Sequence, residues 1–166
     1  DPKRGPTGAD WLYITGTRGC VKRCTFCNVG SIWPKFVGKK GVTMAKEIRH
    51  YIETTGIKNY YFTDSLLNGN MDNYRELIDT LIEDKTPVGR IKGQWIVRGP
   101  KLIPPDLWKR SREAGLDEIL IGIESGCHQT RIDMKKGVRE EDIEYTFEQC
   151  AINNIRAVPL LMIGYP

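Results

Sequence analysis

The chain has 166 residues, of which 40% are apolar and 28% are charged, so it can form a hydrophobic core and is not expected to be disordered. Its net charge of +4 is too small to indicate a nucleic-acid partner by itself. The longest apolar run, residues 157–164, is shorter than the ~20 residues of a membrane helix, and no signal-peptide pattern opens the chain. We therefore expect a cytoplasmic protein of one domain. Because no Met begins it and it stops after an apolar run, we expect residues 1–166 to be an incomplete piece of a longer chain.

Apolar strands and amphipathic helices alternate in the first half of the chain. An apolar and aromatic run predicts a strand at residues 11–14. Thr43 is predicted to cap a helix that ends at Gly56. A second strand at residues 59–63 precedes a helix over residues 72–85, whose apolar side chains have helical spacing.

The second half repeats this alternation. Strands are predicted at residues 94–98, 118–123 and 156–163, with helices at 104–115 and 139–153 between them. The strands are nearly continuous apolar runs, which is typical of a parallel sheet covered by helices. Because a closed barrel of this type needs ~250 residues, we predict an α/β fold that is a partial (β/α) barrel. It should have about five parallel strands and four or more helices, and end before a sixth strand.

Three of the five cysteines, Cys20, Cys24 and Cys27, lie within eight residues, directly after the first predicted strand. Disulfides between such near neighbours are geometrically difficult, so the C-x3-C-x2-C spacing favours a metal. The cysteines therefore lie at the carboxyl end of that strand, and in parallel α/β folds active sites lie at the carboxyl ends of the strands. Three thiolates can each ligate one iron of a cubane cluster, which leaves a fourth iron open to a cofactor or substrate.

This spacing, with Phe26 before the last cysteine, resembles the signature of the radical S-adenosylmethionine (radical SAM) enzymes. The strings IGIESG at 121–126, MKKG at 134–137 and MIGYP at 162–166 follow in the same order as in one subgroup of that superfamily. That subgroup contains cobalamin-binding methyltransferases and methylthiotransferases. The resemblance covers essentially the whole chain and implies a radical SAM core domain at residues 1–166.

The resemblance implies an enzyme in which Cys20, Cys24 and Cys27 hold a [4Fe-4S] cluster. SAM would chelate the open iron, and one electron from the cluster would cleave SAM to a 5′-deoxyadenosyl radical. An electron donor of the flavodoxin or ferredoxin type is implied as a partner. The substrate is not indicated, although the subgroup suggests methyl or methylthio transfer. Cobalamin is implied only through a domain that these residues do not include.

Further site residues follow from the same resemblance. Phe26 would pack beside the cluster and near the adenine, although ordinary loop packing explains it equally well. Glu124, with Ser125 next to it, would accept hydrogen bonds from the ribose hydroxyls. The alternative for Glu124 is an ordinary salt bridge.

Three positions carry weaker expectations. Asp64 follows the second strand where many members carry Gly-Gly-Glu, and it could contact the methionyl amino group or simply form a turn. Arg98 could pair with the SAM carboxylate or a substrate anion, or form a surface ion pair. Ile163 corresponds to a position that packs on adenine, although a core residue also fits.

Three other interpretations fit parts of the chain. The three cysteines could form a zinc-binding structural or nucleic-acid-binding module, with Cys127 or His128 as the fourth ligand. The basic run at residues 35–40 could contact RNA, although a solvated loop is the simpler interpretation. A third hypothesis is that the incomplete barrel binds nothing stably. Cys150 lies on an apolar helix face and is expected in the core.

Overall fold

The structure, a computed structural model, describes residues 11–165. Within these residues the strands are β1 (Trp11–Ile14), β2 (Thr17–Arg18), β3 (Val37–Gly38), β4 (Asn59–Phe62), β5 (Arg90–Trp95), β6 (Leu116–Glu124) and β7 (Arg156–Leu161). The helices are α1 (Val29–Ile32), α2 (Gly41–Thr55), α3 (Met71–Glu83), α4 (Pro105–Glu113), α5 (His128–Asp133) and α6 (Glu140–Ile152).

One parallel sheet organises the fold. Its five strands lie in the order β1-β4-β5-β6-β7. Strands of this sheet that follow one another in sequence are therefore neighbours in space. Ile14 of β1 pairs with Phe62 of β4, which in turn pairs with Gly93 of β5, and the carboxyl ends therefore meet at one edge. The short strands β2 and β3 form a separate antiparallel ribbon. The predicted α/β partial barrel is confirmed.

The core lies between this sheet and the helices that connect its strands. Trp95 of β5 packs between Tyr74 of α3, at a ring distance of 5.1 Å, and Trp108 of α4, at 5.4 Å. Burial of such large rings supplies much of the hydrophobic stabilisation. The Tyr74 hydroxyl donates a hydrogen bond to Ser111 Oγ at 2.7 Å, so its polar end is satisfied inside the core.

The ends of several elements differ from the sequence prediction. Helix α2 begins at Gly41 with Lys40 at its N-cap, so Thr43 lies in the first turn and does not cap it. Gly56 ends this helix as predicted, with a left-handed φ of 71° that favours glycine.

The third strand of the sheet begins four residues earlier and ends three residues earlier than predicted. Strand β5 covers Arg90–Trp95 instead of 94–98, because the Asn68 side chain replaces the ladder beyond Trp95. Asn68 Oδ1 accepts a hydrogen bond from Ile96 N at 2.9 Å, and Asn68 Nδ2 donates to the Ile96 carbonyl at 2.8 Å. Backbone groups satisfied by a side chain in this way do not need a neighbouring strand.

The last strand ends earlier than predicted. Strand β7 stops at Leu161, where its register against β6 shifts between Gly122 and Glu124. Met162 N then donates a hydrogen bond to the Glu124 carbonyl at 2.8 Å. None of the helices within residues 11–165 is long and apolar enough to cross a bilayer.

Candidate active site

A cavity of about 310 Å³ opens at the carboxyl ends of the central strands. Its wall contains all three cysteines of the loop that follows β1 and β2, and none of them is in a disulfide. The opposite wall comes from the ends of β5, β6 and β7. The lining residues are Cys20, Lys22, Cys24, Phe26, Cys27, Val29, Ser65, Leu66, Gln94, Trp95, Ile96, Leu120, Gly122, Glu124, Lys136 and Leu160.

The cysteine loop is held by its own backbone and by one arginine. Thr25 N donates to the Met134 carbonyl at 3.0 Å, which ties the loop to the end of α5. Arg23 donates to the Cys20 carbonyl at 2.9 Å and to the Pro34 carbonyl at 2.6 Å. Because five N–H groups lie in one plane, an arginine can bridge two carbonyls in this way. These hydrogen bonds fix the shape of the loop.

The three sulfur atoms are close enough to influence one another. Burial raises the pKa of the Cys24 thiol, and the nearby Cys20 and Cys27 raise it further, while the ammonium of Lys136 opposes the rise. No three His, Cys, Asp or Glu side chains within residues 11–165 are placed to hold one metal ion. Three free thiols on one loop are the donor set of an iron-sulfur cluster in which each thiolate ligates a different iron. The residues present fit such a cluster.

Glu124 is the acidic group of this cavity. It is the last residue of β6, its side chain is mostly buried, and its backbone has a φ of 69°, an uncommon value for a residue with a side chain. Backbone strain of this kind is concentrated at functional sites. The salt bridge that was the alternative interpretation of Glu124 is present, and its contact with the ribose stays a prediction.

The partner of Glu124 is Lys136, which sequence reasoning missed as a site residue. Lys136 Nζ donates to Glu124 Oε1 at 2.6 Å, and both side chains line the cavity. A Cβ atom on Gly122 would lie 2.5 Å from Glu124 Oε1 and 2.6 Å from Lys136 Nζ, so a side chain at this position would displace the ends of both side chains. A glycine inside an otherwise apolar strand was the available sequence signal.

The rest of the wall is largely apolar. Phe26 lies beside the third cysteine with about a third of its surface exposed, and Ile96, Leu120 and Leu160 also line the cavity. Ser125 does not line this cavity. Its hydroxyl accepts a hydrogen bond from Cys127 N at 3.1 Å, and its carbonyl accepts one from Arg131 at 2.7 Å. Ser125 thus shapes the turn after β6.

Asp64 lies outside the cavity, beneath the end of β1. It is only 1% exposed and accepts a hydrogen bond from Gly16 N at 2.8 Å. Burial raises the pKa of Asp64, whereas hydrogen bonds from Thr17 and Gly16 oppose the rise. Asp64 is not among the residues that line the cavity, and its carboxylate holds the loop that leads to the cysteines. Its contact with SAM stays a prediction.

We predict that Asp64→Ala destabilises the fold by about 1–3 kcal/mol, because the buried Gly16 N–H loses its acceptor. Asp64→Asn should retain an acceptor oxygen. Since the pKa of Asp64 is raised on folding, the native state binds its proton more tightly than the unfolded state does. The wild type should therefore gain stability relative to Asp64→Asn as the pH falls towards 4, which urea unfolding at pH 7 and pH 4.5 measures. An equal difference at both pH values would contradict this account.

Arg98 and Ile163 are displaced from their expected positions. Arg98 lies three residues beyond β5 and lines a second cavity, and it donates to the Gly69 carbonyl at 3.3 Å. Ile163 lies two residues beyond β7 and is fully exposed, while Leu160 lines the first cavity. The early ends of β5 and β7 explain both displacements.

The other two cysteines and His128 are separate from the three thiols of the loop. Cys127 and His128 are exposed on the turn into α5 and are not among the residues that line the cavity. Cys150 is buried on α6, and burial raises its pKa to about 12, as expected for a core thiol.

Comparison with known proteins supports the resemblance to radical SAM enzymes that the sequence motifs indicate. The model of the radical SAM superfamily matches residues 14–166. The cytidylyl-2-hydroxyethylphosphonate methyltransferase of Streptomyces wedmorensis is 24% identical over 157 residues, which are 93% of this chain and 28% of that protein. A Methanocaldococcus jannaschii protein that carries a methylthiotransferase name is 22% identical and matches 93% of this chain. That match covers 35% of its length.

Solved structures share the fold. The cobalamin-dependent S-adenosylmethionine radical enzyme OxsB, with aqua-cobalamin bound, has a TM-score of 0.77 and 19% identity over 90% of this chain and 23% of its own. The radical S-adenosylmethionine methyltransferase TsrM from Kitasatospora setae has a TM-score of 0.75 and 17% identity over 93% of this chain and 31% of its own.

The chain therefore spans about a quarter to a third of the length of these proteins. The family match nevertheless covers nearly all of the chain and includes the three-cysteine loop. Together with the parallel sheet and the cavity at its carboxyl edge, it shows that this chain belongs to the radical SAM superfamily.

Proposed function

We propose that this chain is the catalytic core of an enzyme that reductively cleaves SAM. In this proposal Cys20, Cys24 and Cys27 ligate a [4Fe-4S] cluster, and SAM occupies the cavity between them and Glu124. The observation that carries the proposal is that the three free thiols and the Glu124–Lys136 pair line one cavity. When bound, the cluster supplies the electron that cleaves the sulfonium of SAM to methionine and a 5′-deoxyadenosyl radical.

The residues of the chain have separable roles in this proposal. Arg23 holds the loop carbonyls so that the three thiolates face the cavity. Phe26, Ile96 and Leu120 offer an apolar wall that fits an adenine ring and excludes water from a reactive radical. Glu124 places carboxylate acceptors for the ribose hydroxyls, and Lys136 holds this side chain in position by donating a hydrogen bond to it.

The reaction that follows SAM cleavage is proposed to be methyl or methylthio transfer. The support is the nature of the relatives, one of which is named a methyltransferase and another a methylthiotransferase. Both solved structures described above, OxsB and TsrM, contain bound cobalamin. A corrinoid would be held by a part of the protein outside residues 1–166.

The test is anaerobic reconstitution with iron and sulfide, followed by metal analysis and incubation with SAM and dithionite. We expect about four irons per chain, broad absorption near ~400 nm, and 5′-deoxyadenosine or methylated product. Zinc at one per chain without iron would support the zinc-binding module instead. A chain that retains no metal would support the third hypothesis, that this segment binds nothing stably by itself.

We also propose that an acidic electron donor docks beside the cysteine loop. Residues 11–46 contain seven lysine and arginine residues and no aspartate or glutamate. Arg18, Lys35 and Lys40 are exposed, and the Arg18 guanidinium lies 5.1 Å from the centre of the exposed Trp33 ring. The Lys35 carbonyl lies close to Gly19, next to Cys20. Lys22 and Arg23 are less suitable for contact with a donor protein. Lys22 lines the first cavity, and both side chains donate hydrogen bonds to backbone carbonyls.

The double reversal Lys35→Glu/Lys40→Glu should slow cluster reduction by flavodoxin by about tenfold at low salt, since both charges lie on the proposed docking surface. The difference should shrink as ionic strength rises. The matched control is Lys58→Glu/Lys109→Glu, at two exposed lysines outside this acid-free stretch. Stopped-flow absorbance of the reconstituted protein measures the rate. Equal slowing by both double variants would rule out a local docking surface.

A further inference from the structure

A second cavity of about 530 Å³ lies next to the first and is larger. It is formed by the loop after β5, residues 97–102, together with Gly137, Arg139 and Asp142. The two cavities share Lys22 in their walls. Ile96 lines the first and Val97 the second, and Lys136 and Gly137 divide in the same way. Consecutive residues of two segments thus form a common partition.

Positive charge dominates this second cavity. Lys22, Arg98, Lys101 and Arg139 line it, and Asp142 is the one acidic residue among those that line it. Asp142 is already neutralised, because both of its oxygens accept hydrogen bonds from Arg139 at 2.9 Å. The other three cations form no ion pair with a carboxylate in the described part of the chain.

Two of these cations have weak partners. Lys22 Nζ donates to the Gly137 carbonyl at 3.2 Å, and an Arg98 Nη donates to the Gly69 carbonyl at 3.3 Å. The Nε atom of Arg98 is buried and has no hydrogen-bond partner. A buried donor without an acceptor costs free energy, and like charges in one cavity repel each other. A bound anion would relieve both costs.

We propose that this second cavity binds a phosphate-type oxyanion of the substrate. Arg98 would donate through the planar fork of its guanidinium, and Lys22 and Lys101 would act as point charges around the same group. Three cations without carboxylate partners match a doubly charged phosphate better than a singly charged carboxylate. The assignment of this anion to the substrate rests on the proposed function, because a substrate that reacts in the first cavity can place a charged group in the cavity next to it.

Anion binding in the second cavity is tested by titrating inorganic phosphate into the protein and following the side-chain Nε–H signal of Arg98 by NMR. Its absence from the spectrum of Arg98→Lys identifies the signal. We expect saturable shifts of this signal, and binding about tenfold weaker in Arg98→Gln and several-fold weaker in Lys101→Gln. Lys109→Gln, at an exposed position of α4 outside the cavity, is the control and should bind like the wild type.

Two further arms define the ligand. Acetate should bind more weakly than phosphate, and equal affinity would overturn the preference for a doubly charged oxyanion. In the reconstituted protein, saturating SAM should leave phosphate binding unchanged. Competition between them would mean that Arg98 serves the SAM carboxylate, and would overturn the proposal.

The outcomes separate this inference from the proposed function. Phosphate binding that depends on Arg98, in a chain that cannot assemble the cluster, would retain the anion site and reject the radical reaction. SAM cleavage with phosphate binding that is unaffected by Arg98→Gln and Lys101→Gln would do the reverse. Circular dichroism of each variant shows whether a loss of binding reflects a loss of fold.

Discussion

Cys24→Ala is expected to abolish cluster assembly and SAM cleavage together. Two thiolates would remain on the loop, and two protein ligands do not secure a cluster that needs three ligated irons. Iron content after reconstitution should fall from about four per chain to near zero, and the absorption near ~400 nm should disappear. The fold should survive, because Cys24 lies in the loop that lines the cavity, outside the hydrophobic core.

Two other cysteines of the same chain provide matched controls. Cys127→Ala removes an exposed thiol outside the cavity, and Cys150→Ala removes a buried thiol on α6. Both variants should bind iron like the wild type, although Cys150→Ala should lose some stability because it leaves a small core cavity. Loss of iron in Cys127→Ala would show that a fourth cysteine takes part and would favour a different metal centre.

Glu124→Gln is expected to weaken SAM binding by at least about tenfold while iron content stays unchanged. The substitution removes the charged acceptor that we assign to the ribose, and hydrogen bonds to charged groups contribute more than neutral ones. It also leaves Lys136 without its carboxylate partner in a site where both side chains are mostly buried. Breaking such a pair should lower the free energy of unfolding by roughly 2–4 kcal/mol.

A double variant separates binding from stability. Glu124→Gln/Lys136→Met removes both charges, so the stability should recover in part, because no unpaired cation remains. SAM affinity should stay low, since the acceptor is still missing. Isothermal titration with SAM on the reconstituted protein and urea unfolding measure the two quantities. If affinity recovers together with stability, Glu124 has a structural role only.

The type and order of the main elements could be predicted because their signals are local. Five apolar runs and the helical spacing of residues such as Tyr74 and Leu77 identify the strands and helices, and both side chains are buried as expected. The cysteine loop was recognisable for the same reason: its spacing is contained within eight residues. Short-range patterns of this kind need no knowledge of distant contacts.

Positions set by contacts between distant segments could not be predicted in the same way. The end of β5 depends on Asn68, which lies 28 residues before Ile96 in the chain, and this contact moved Arg98 out of the strand. Asp64 has the residue type of a ligand or a turn former. Its hydrogen bond to Gly16, 48 residues away, makes it a support for the loop.

The residue types and spacing along the chain were enough to indicate an α/β fold, a three-thiol loop and an acidic residue at the end of the fourth strand of the sheet. Folding decided that Glu124 has Lys136 as its partner, that Leu160 and not Ile163 lines the cavity, and that four cations surround a second cavity. The physical reason is that periodicity and spacing report local backbone geometry, whereas cavities and ion pairs depend on the register at which separate strands meet.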